Sequence, residues 1–273
     1  MSDHEETALA RYSDELPSAL TDFEQLAACL DSRKPALFLD YDGTLTPIVE
    51  KPEQAILSEA MHETLIRLAA RCPVAVVSGR DLVDVRDKVG IESLFYSGSH
   101  GYDISGPEDR CLGRQQGMEF LPALDEAEQQ LKSRLSAIDG ARVERKRFAI
   151  AIHYRQVADD DIGRVETIVD ETAEQFQQLK KNDGKKIFEL QPDLDWHKGK
   201  AVEWLIEVLE FGDGVVPVFI GDDRTDEDAF KTLTDTGIGI VVTEENRLSA
   251  ARFRLHDPEE VRQFFDRLLD RLG

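Results

Sequence analysis

The sequence has few cysteines and no long apolar run. Its three cysteines, Cys29, Cys72 and Cys111, are odd in number and far apart, and no Cys-x-x-Cys motif occurs. This usage predicts reduced thiols in the cytoplasm rather than a disulfide framework. No apolar run approaches the roughly 20 residues of a membrane helix. The acidic segment Met1–Glu6 also lacks the apolar centre of a signal peptide, so we expect no membrane association.

Basic residues are also scarce. The chain has 33 Lys and Arg against 55 Asp and Glu, a net charge of −22. Nucleic acids and anionic membranes are bound by basic patches, so the composition argues against both partners. The acidic excess is spread along the chain and indicates a solvated surface. Adaptation to a salty cytoplasm is the alternative, and a melting curve insensitive to KCl would contradict it.

The hydrophobic content is sufficient for a core, at 41% of 273 residues. This length fits one large domain or two smaller ones. The most informative stretch is Ala36–Leu39, four apolar residues that run directly into Asp40 and then Asp42-Gly43-Thr44. A short continuous apolar run that ends in turn residues predicts a strand buried on both faces of a parallel sheet. Ligands of such sheets bind just beyond the carboxyl ends of the strands.

Two carboxylates as close as Asp40 and Asp42 favour a bound cation, because like charges otherwise raise one pKa. Mg²⁺ binds through one or two carboxylates and leaves positions for a phosphate. One carboxylate can then act as a nucleophile and the other as a general acid and base. The alternative is an ordinary strand end, since Asp-Gly is a common turn dipeptide.

A second predicted strand, Val74–Val77, ends in Ser78-Gly79-Arg80. A serine followed by glycine can offer a hydroxyl and backbone N–H groups to a phosphate. A helix-capping serine is the alternative. Farther along, Lys198 opens a predicted helix, where an ammonium and the helix dipole would both attract a phosphate. A third apolar strand ends in Asp222, which repeats the position of Asp40.

The sequence pattern changes in the middle of the chain. Alternating strand patterns and helices there are not the strand–helix alternation of the flanking parts, and we interpret 117–192 as an inserted α+β domain. The core then comprises 1–116, including N-terminal helices, and 193–273. The elements predicted within the insertion are a helix over 123–138, strands over 142–155, a helix over 161–181 and a strand over 185–191.

These segments resemble the haloacid dehalogenase-like superfamily, whose members use an aspartate nucleophile in an Asp-x-Asp-Gly-Thr segment. Within that superfamily the chain is similar to the trehalose-6-phosphate phosphatases. The resemblance implies an α/β fold with a Rossmann-like core of mostly parallel sheet and an inserted α+β cap domain. It rests on Leu39–Leu45, Ser78–Arg80, Gly98–Gly101, Phe148–Arg155, Lys198–Ala201 and Gly221–Asp228.

The resemblance also implies roles for single residues. Asp40 would attack phosphorus and Asp42 would be the general acid and base. Mg²⁺ would be bound by Asp40, the backbone carbonyl of Asp42, and Asp222. Asp223 and Asp226 would hold the metal ligands in place. Ser78 and Lys198 would bind the phosphoryl oxygens. The substrate would also be contacted by Gly79, Arg80 and His100 in the core and, at its sugar, by Glu144, Lys146, Arg155, Lys185 and Glu189.

The implied activity is Mg²⁺-dependent hydrolysis of trehalose 6-phosphate by a monomer, with a small-molecule sugar phosphate as its partner. Phosphatases of sucrose phosphate or mannosylglycerate phosphate share the core chemistry, and only the inserted domain discriminates them. A phosphomutase would have to protect its aspartyl phosphate from water. A catalytically silent sugar-phosphate sensor is the remaining alternative, although a binding module needs no nucleophile such as Asp40.

Overall fold

The computed structural model describes residues 10–107, 117–184, 186–212 and 214–273, without the side chain of His100. The predicted site residue Lys185 and the side chain of His100 therefore lie outside the described residues. The chain divides into two compact units, Met1–Arg114 with Trp196–Gly273, and Gln115–Asp195. No helix in the described ranges is long and apolar enough to cross a membrane.

The first unit is an α/β structure around a seven-stranded sheet. Its strand order is β13-β11-β10-β2-β3-β4-β5, and only the β4–β5 pair is antiparallel. The strands of this unit are β1 (Arg11–Tyr12), β2 (Lys34–Leu39), β3 (Val74–Val77), β4 (Phe95–Gly98), β5 (Asp103–Ser105), β10 (Val215–Gly221), β11 (Ile238–Val242), β12 (Leu248–Ser249) and β13 (Phe253–Leu255). Its helices are α1 (Phe23–Leu30), α2 (Glu59–Ala69), α3 (Leu82–Val89), α6 (Lys198–Val208), α7 (Glu227–Thr232) and α8 (Pro258–Leu272).

The central strands are apolar throughout because helices cover both faces of the sheet. Alternate side chains of β2 point to opposite faces. Leu37 and Leu39 belong to the hydrophobic cluster that includes helices α1, α2 and α8. Ala36 and Phe38 belong to the cluster that includes α6 and α7. This two-sided burial confirms the predicted α/β class with a mostly parallel sheet.

The second unit is an α+β structure. Its antiparallel sheet has the order β6-β7-β9-β8. Ile150 and Ile152 of the sheet pack against Leu131 and Val165 of the two helices. The strands are β6 (Arg142–Lys146), β7 (Ala149–His153), β8 (Leu179–Gly184) and β9 (Ile187–Pro192), and the helices are α4 (Leu121–Leu135) and α5 (Asp159–Gln175).

Two predicted elements differ from the structure. The helix predicted over 161–181 is wrong at its end: α5 stops at Gln175, and Lys180 and Lys181 lie in strand β8. A turn in which the N–H of Leu179 donates to the Phe176 carbonyl reverses the chain, and Leu179 is then buried as a strand residue. The short strands β1, β5, β12 and β13 were not predicted, because two or three residues carry no periodic signal.

Candidate active site

The carboxyl ends of three neighbouring parallel strands carry the polar residues singled out in the sequence. Strands β10, β2 and β3 lie side by side in that order. Asp40 follows β2 directly, Ser78 follows β3, and Asp222 follows β10. Parallel strands have their carboxyl ends at one edge of the sheet, where α/β proteins bind ligands. The predicted convergence of these residues is therefore confirmed.

A buried ion pair lies at the centre of this edge. The Nζ atom of Lys198, the first residue of helix α6, is 2.6 Å from Oδ1 of Asp40 and 2.6 Å from Oδ1 of Asp226. The side chains of Lys198, Asp40 and Asp226 are only 3%, 7% and 0% exposed. A buried charge is costly unless it is paired and hydrogen-bonded. Lys198 is thus a buried ammonium with two carboxylate partners.

Asp222 completes a carboxylate cluster beside this pair. Oxygens of Asp40, Asp222 and Asp226 all lie within 4.8 Å of one another. Oδ1 of Asp222 is buried and has no hydrogen-bond partner among the described residues. When all three carboxylates are ionised, the Lys198 ammonium balances one of them, and among the described residues two negative charges are left uncompensated. A hard divalent cation with oxygen ligands fits this donor set and this charge.

The turn after Asp40 keeps space for Asp222. Gly43 has a φ of +81°, and a Cβ atom there would lie 2.1 Å from Oδ2 of Asp222. The turn is closed by a hydrogen bond from the Gly43 N–H to the Thr46 carbonyl, 2.8 Å. Only glycine meets both demands, a left-handed backbone and no side chain. The Asp-Gly dipeptide is therefore part of the site as well as a turn.

Burial and crowding of like charges shift the protonation equilibria here. Burial raises the pKa of Asp40 well above its usual range, although Lys198 opposes the shift. Burial, together with the nearby Asp226 carboxylate, raises the pKa of Asp222 to about 7. Burial acts against the charge of Lys198, but Asp226 and Asp40 outweigh it and raise the pKa of this ammonium. Without a bound metal ion, protonation of the Asp40 and Asp222 carboxylates is therefore favoured, and Lys198 stays charged.

Asp226 and Asp223 form the support behind this cluster. Oδ2 of Asp226 accepts the backbone N–H of Asp223 at 2.9 Å, while its Oδ1 accepts from Lys198. The side chain of Asp223 in turn accepts the N–H of Arg224 at 2.7 Å. The two acids cap the short helical turn Arg224–Asp226, which precedes α7. Both oxygens of Asp226 are therefore occupied within the protein.

Asp42 binds a different partner. Its carboxylate accepts two hydrogen bonds from Arg80, one from Nε and one from Nη2, each 2.7 Å long. Arg80 also donates from Nη1 to Asp84 at 2.8 Å and from Nη2 to the carbonyl of Pro52 at 2.9 Å. Burial lowers the pKa of Arg80, but the hydrogen bonds to Asp42 and Asp84 outweigh it and raise the pKa overall.

Ser78 and Gly79 form the segment between strand β3 and Arg80. Ser78 is buried, and its Oγ accepts the N–H of Arg80 at 3.1 Å. Its own backbone N–H donates to the carbonyl of Ser97 on β4 at 2.8 Å. Gly79 is the intervening loop residue. The hydroxyl of Ser78 thus organises its own loop.

Sequence reasoning missed the residues that hold these loops. Arg247 donates from Nη2 to the backbone carbonyl of Asp222 at 2.8 Å and from Nη1 to Glu227 at 3.2 Å. No local pattern marks Arg247. Asp84 was missed as well, although it lies four residues after the predicted Arg80, a spacing at which side chains can pair along a helix.

The second unit has one polar sheet face. Glu144 of β6, Ala151 of β7 and Glu189 of β9 are aligned across the strands. Nζ of Lys146 is 2.7 Å from Oε1 of Glu189, and Nε2 of His153 is 2.8 Å from Oε2 of Glu144. The structure therefore brings three of the predicted sugar-binding residues, Glu144, Lys146 and Glu189, onto one face. Arg155 is exposed beyond the end of β7.

Comparison with known proteins gives consistent matches. The family model described as trehalose-phosphatase matches residues 38–259. A trehalose 6-phosphate phosphatase from Zea mays is 40% identical over 273 residues, covering 94% of this chain and 76% of that protein. A solved trehalose-6-phosphate phosphatase structure from Aspergillus fumigatus superposes with a TM-score of 0.68 at 26% identity, over 94% of this chain and 99% of the other.

A further relative is much longer than this chain. An uncharacterized glycosyl hydrolase from Mycobacterium tuberculosis is 45% identical over 260 residues. The match covers 93% of this chain but only 20% of that protein, so the chain spans about a fifth of its length. The family model matches well over half of the chain, and its range contains Asp40, Asp42, Ser78, Lys198 and Asp222. By sequence and by fold, then, this chain belongs to the trehalose-phosphatase family.

Proposed function

We propose that the protein is a Mg²⁺-dependent phosphatase that hydrolyses trehalose 6-phosphate to trehalose and inorganic phosphate. This reaction would be the final step of trehalose biosynthesis. The observation that carries the proposal is the buried Asp40–Lys198 pair beside Asp222, whose Oδ1 has no hydrogen-bond partner in the described part of the chain. Such a site offers a nucleophile, a fixed positive charge and a place for a divalent cation.

In the first step an oxygen of Asp40 forms a bond to phosphorus while the bond from phosphorus to the sugar oxygen breaks. Asp42 donates a proton to the departing sugar oxygen, because a sugar alkoxide is a poor leaving group. The product is an aspartyl phosphate on Asp40. In the second step Asp42 takes a proton from water, the water oxygen attacks phosphorus, and Asp40 is released as a carboxylate.

Lys198 and Ser78 would hold the phosphoryl oxygens during both steps. Two of the three N–H bonds of the Lys198 ammonium are directed to Asp40 and Asp226. The same ammonium is at the N-terminus of helix α6, whose dipole adds to its positive charge. Phosphoryl transfer depends mainly on positioning and electrostatics, so a charge held rigidly by two carboxylates supports this role.

Asp40, Asp222 and the backbone carbonyl of Asp42 would bind Mg²⁺, with Asp226 and Asp223 holding these ligands in place. The ion would neutralise charge that develops on the phosphoryl oxygens. The excess of two negative charges at the carboxylate cluster supports a divalent ion there.

The inserted domain would select the sugar. The proposed contacts are Glu144, Lys146, Arg155 and Glu189, with Lys185 and, from the core, Gly79 and His100. The pairing of Lys146 with Glu189 supports this proposal, because it fixes a donor next to an acceptor on a rigid sheet. A disaccharide presents many hydroxyls, and a site built to bind them rejects sugars that lack them.

The direct test is phosphate release with Mg²⁺ from trehalose 6-phosphate, sucrose 6-phosphate, glucose 6-phosphate and p-nitrophenyl phosphate, with EDTA as a control. We expect strong preference for trehalose 6-phosphate and loss of activity in EDTA. Asp40→Asn should abolish release while substrate binding persists, and Asp270→Asn on the exposed side of α8 should behave as wild type. Release from another sugar phosphate instead would reject the proposed sugar specificity, and no release from any substrate would reject the phosphatase.

The sugar contacts have their own test. Glu144→Ala should raise KM for trehalose 6-phosphate by about tenfold, the effect of about 1.4 kcal/mol of lost binding. The same variant should leave turnover of p-nitrophenyl phosphate unchanged, because that substrate has no sugar. Glu126→Ala on the exposed side of helix α4 in the same unit is the matched control. Unchanged kinetics with the disaccharide in Glu144→Ala would contradict the assignment.

A further inference from the structure

We propose that Arg80 is the positioning residue of the general acid and base: it holds the carboxylate of Asp42 in a fixed orientation and does not bind the phosphate. The inference rests on the proposed function, since it needs Asp42 to transfer protons. It replaces the substrate-binding role that the resemblance suggested for Arg80.

The first argument is the geometry of the Arg80–Asp42 contact. Nε and Nη2 of Arg80 donate to Oδ2 and Oδ1 of Asp42, both at 2.7 Å. A two-point contact between a planar guanidinium and a planar carboxylate fixes both the place and the rotation of the carboxylate. A single-point ion pair would leave Asp42 free to rotate about its side-chain bonds.

The second argument is the number of N–H donors on Arg80. A guanidinium has five N–H bonds. Two are directed to Asp42, one to Asp84 and one to the carbonyl of Pro52. Four of the five are therefore used within the protein. Binding a phosphoryl oxygen in the usual two-point manner would require Arg80 to break at least one of these bonds.

The third argument is that Arg80 is itself held rigidly. Its side chain is 10% exposed, and its guanidinium lies over the ring of Tyr41, 5.4 Å from the ring centre. Its backbone N–H donates to Ser78, and its carbonyl accepts the N–H of Ser99 at 2.6 Å. A residue anchored on so many sides is suited to hold another group in place and poorly suited to follow a substrate.

Tyr41 also connects Arg80 to the segment that carries Asp42. Tyr41 lies between Asp40 and Asp42, is fully buried, and donates from its hydroxyl to the carbonyl of Ala55 at 3.0 Å. Arg80 donates to Pro52 in the same loop. The loop 52–55, the guanidinium and the Asp42 segment are thus joined in one network. This network sets where Asp42 stands relative to Asp40.

The test compares two substrates that differ in their need for an acid. p-Nitrophenolate leaves without protonation, whereas a sugar oxygen does not. With Arg80→Gln, we expect kcat/KM for trehalose 6-phosphate to fall about 10- to 100-fold, the scale of a misplaced proton-transfer group. For p-nitrophenyl phosphate, kcat/KM should change less than about threefold, because it reports only the first step.

The second step gives an independent signature. A misplaced Asp42 should also slow hydrolysis of the aspartyl phosphate, so rapid mixing of Arg80→Gln with p-nitrophenyl phosphate should give a burst of p-nitrophenol near one equivalent per enzyme. Arg80→Lys keeps the charge without the two-point contact and should show the same pattern in weaker form. Equal losses of kcat/KM for both substrates with raised KM and no burst would overturn the proposal in favour of phosphate binding.

Two controls separate this inference from folding and from the proposed function. Asp84→Asn weakens the outer anchor of Arg80, because it removes the charge of Asp84 and leaves one amide oxygen to accept the bond. The side chain of Asp84 is 47% exposed, so the variant should fold and should reproduce the selective loss on a smaller scale. Kinetics of Asp84→Asn and Arg80→Lys that match wild type would overturn the inference. If the wild-type protein releases no phosphate, the proposed function fails. If the wild-type protein is active and Asp42→Asn is inactive, equal losses of activity with both substrates in Arg80→Gln refute only the proposed role of Arg80.

Discussion

Replacement of Lys198 by methionine tests the energetics of the site in a way that does not depend on its substrate. The change keeps an unbranched side chain but removes the ammonium that pairs with Asp40 and Asp226. Both carboxylates then stay buried without a cationic partner among the described residues. Removing one member of a buried ion pair costs about 3–5 kcal/mol.

This free energy converts into a large change in melting temperature. About 1 kcal/mol shifts Tm by about 2–4 °C in a protein of this size class, so we expect Lys198→Met to melt about 6–20 °C below wild type. The matched control is Arg67→Met. Its ion pair with Asp266 spans 3.4 Å between side chains that are 58% and 40% exposed, and exposed pairs contribute at most about 1 kcal/mol.

The assay is thermal unfolding followed by circular dichroism, in EDTA so that no metal contributes. The double variant Lys198→Met with Asp226→Asn removes one positive and one negative charge together, and should recover part of the loss. Coupling between contacting residues is commonly about 0.5–3 kcal/mol, which this comparison can measure. If Lys198→Met melts within about 2 °C of Arg67→Met, the buried pair does not stabilise the fold, and the reasoning is refuted.

Three further predictions concern other features. Gly43→Ala should abolish phosphatase activity because its methyl group collides with Asp222. Gly90 has a similar positive φ but lies in open space, so Gly90→Ala should lower the free energy of unfolding by about 1 kcal/mol and leave activity intact. Equal activities of the two variants would contradict this reasoning. The folded pKa of Asp222, about 7, exceeds its unfolded value of 3.8, so its contribution to stability is present at low pH and is lost as pH rises toward 7. Asp222→Asn should therefore raise the Tm of the metal-free protein at pH 8 and lose this gain as the pH falls through the unfolded value of 3.8, and a gain independent of pH would refute the shift. Burial raises the pKa of Cys72 to about 12, so iodoacetamide at pH 8 should label Cys29 and spare Cys72 in peptide maps of the folded protein, and early labelling of Cys72 would show that it is accessible.

The sequence predicted the core of the fold well because its strands are short, continuous and apolar. The apolar run Ala36–Leu39 lies in strand β2 and Val74–Val77 forms strand β3, both as predicted. The failure at the end of α5 has a local cause. The segment after Gln175 continues a helical apolar spacing, yet Leu179 is buried as part of strand β8.

Of the candidate site, the sequence by itself determined which residues follow the ends of buried strands. An apolar run of the right length forms a strand in a parallel sheet, and the residue after it lies at the ligand-binding edge whatever the rest of the chain does. Asp40, Ser78 and Asp222 could be located on this basis alone.

Only the tertiary structure decided which of these side chains touch. Lys198 binds Asp40 across 158 residues of sequence, and Arg80 binds Asp42 across 38. Such contacts depend on the order of strands in the sheet and on the direction in which each loop leaves it, and both are set by packing between distant segments. The sequence therefore specified the chemistry available at the sheet edge, and the fold specified that Lys198 joins Asp40 and that Arg80 holds Asp42.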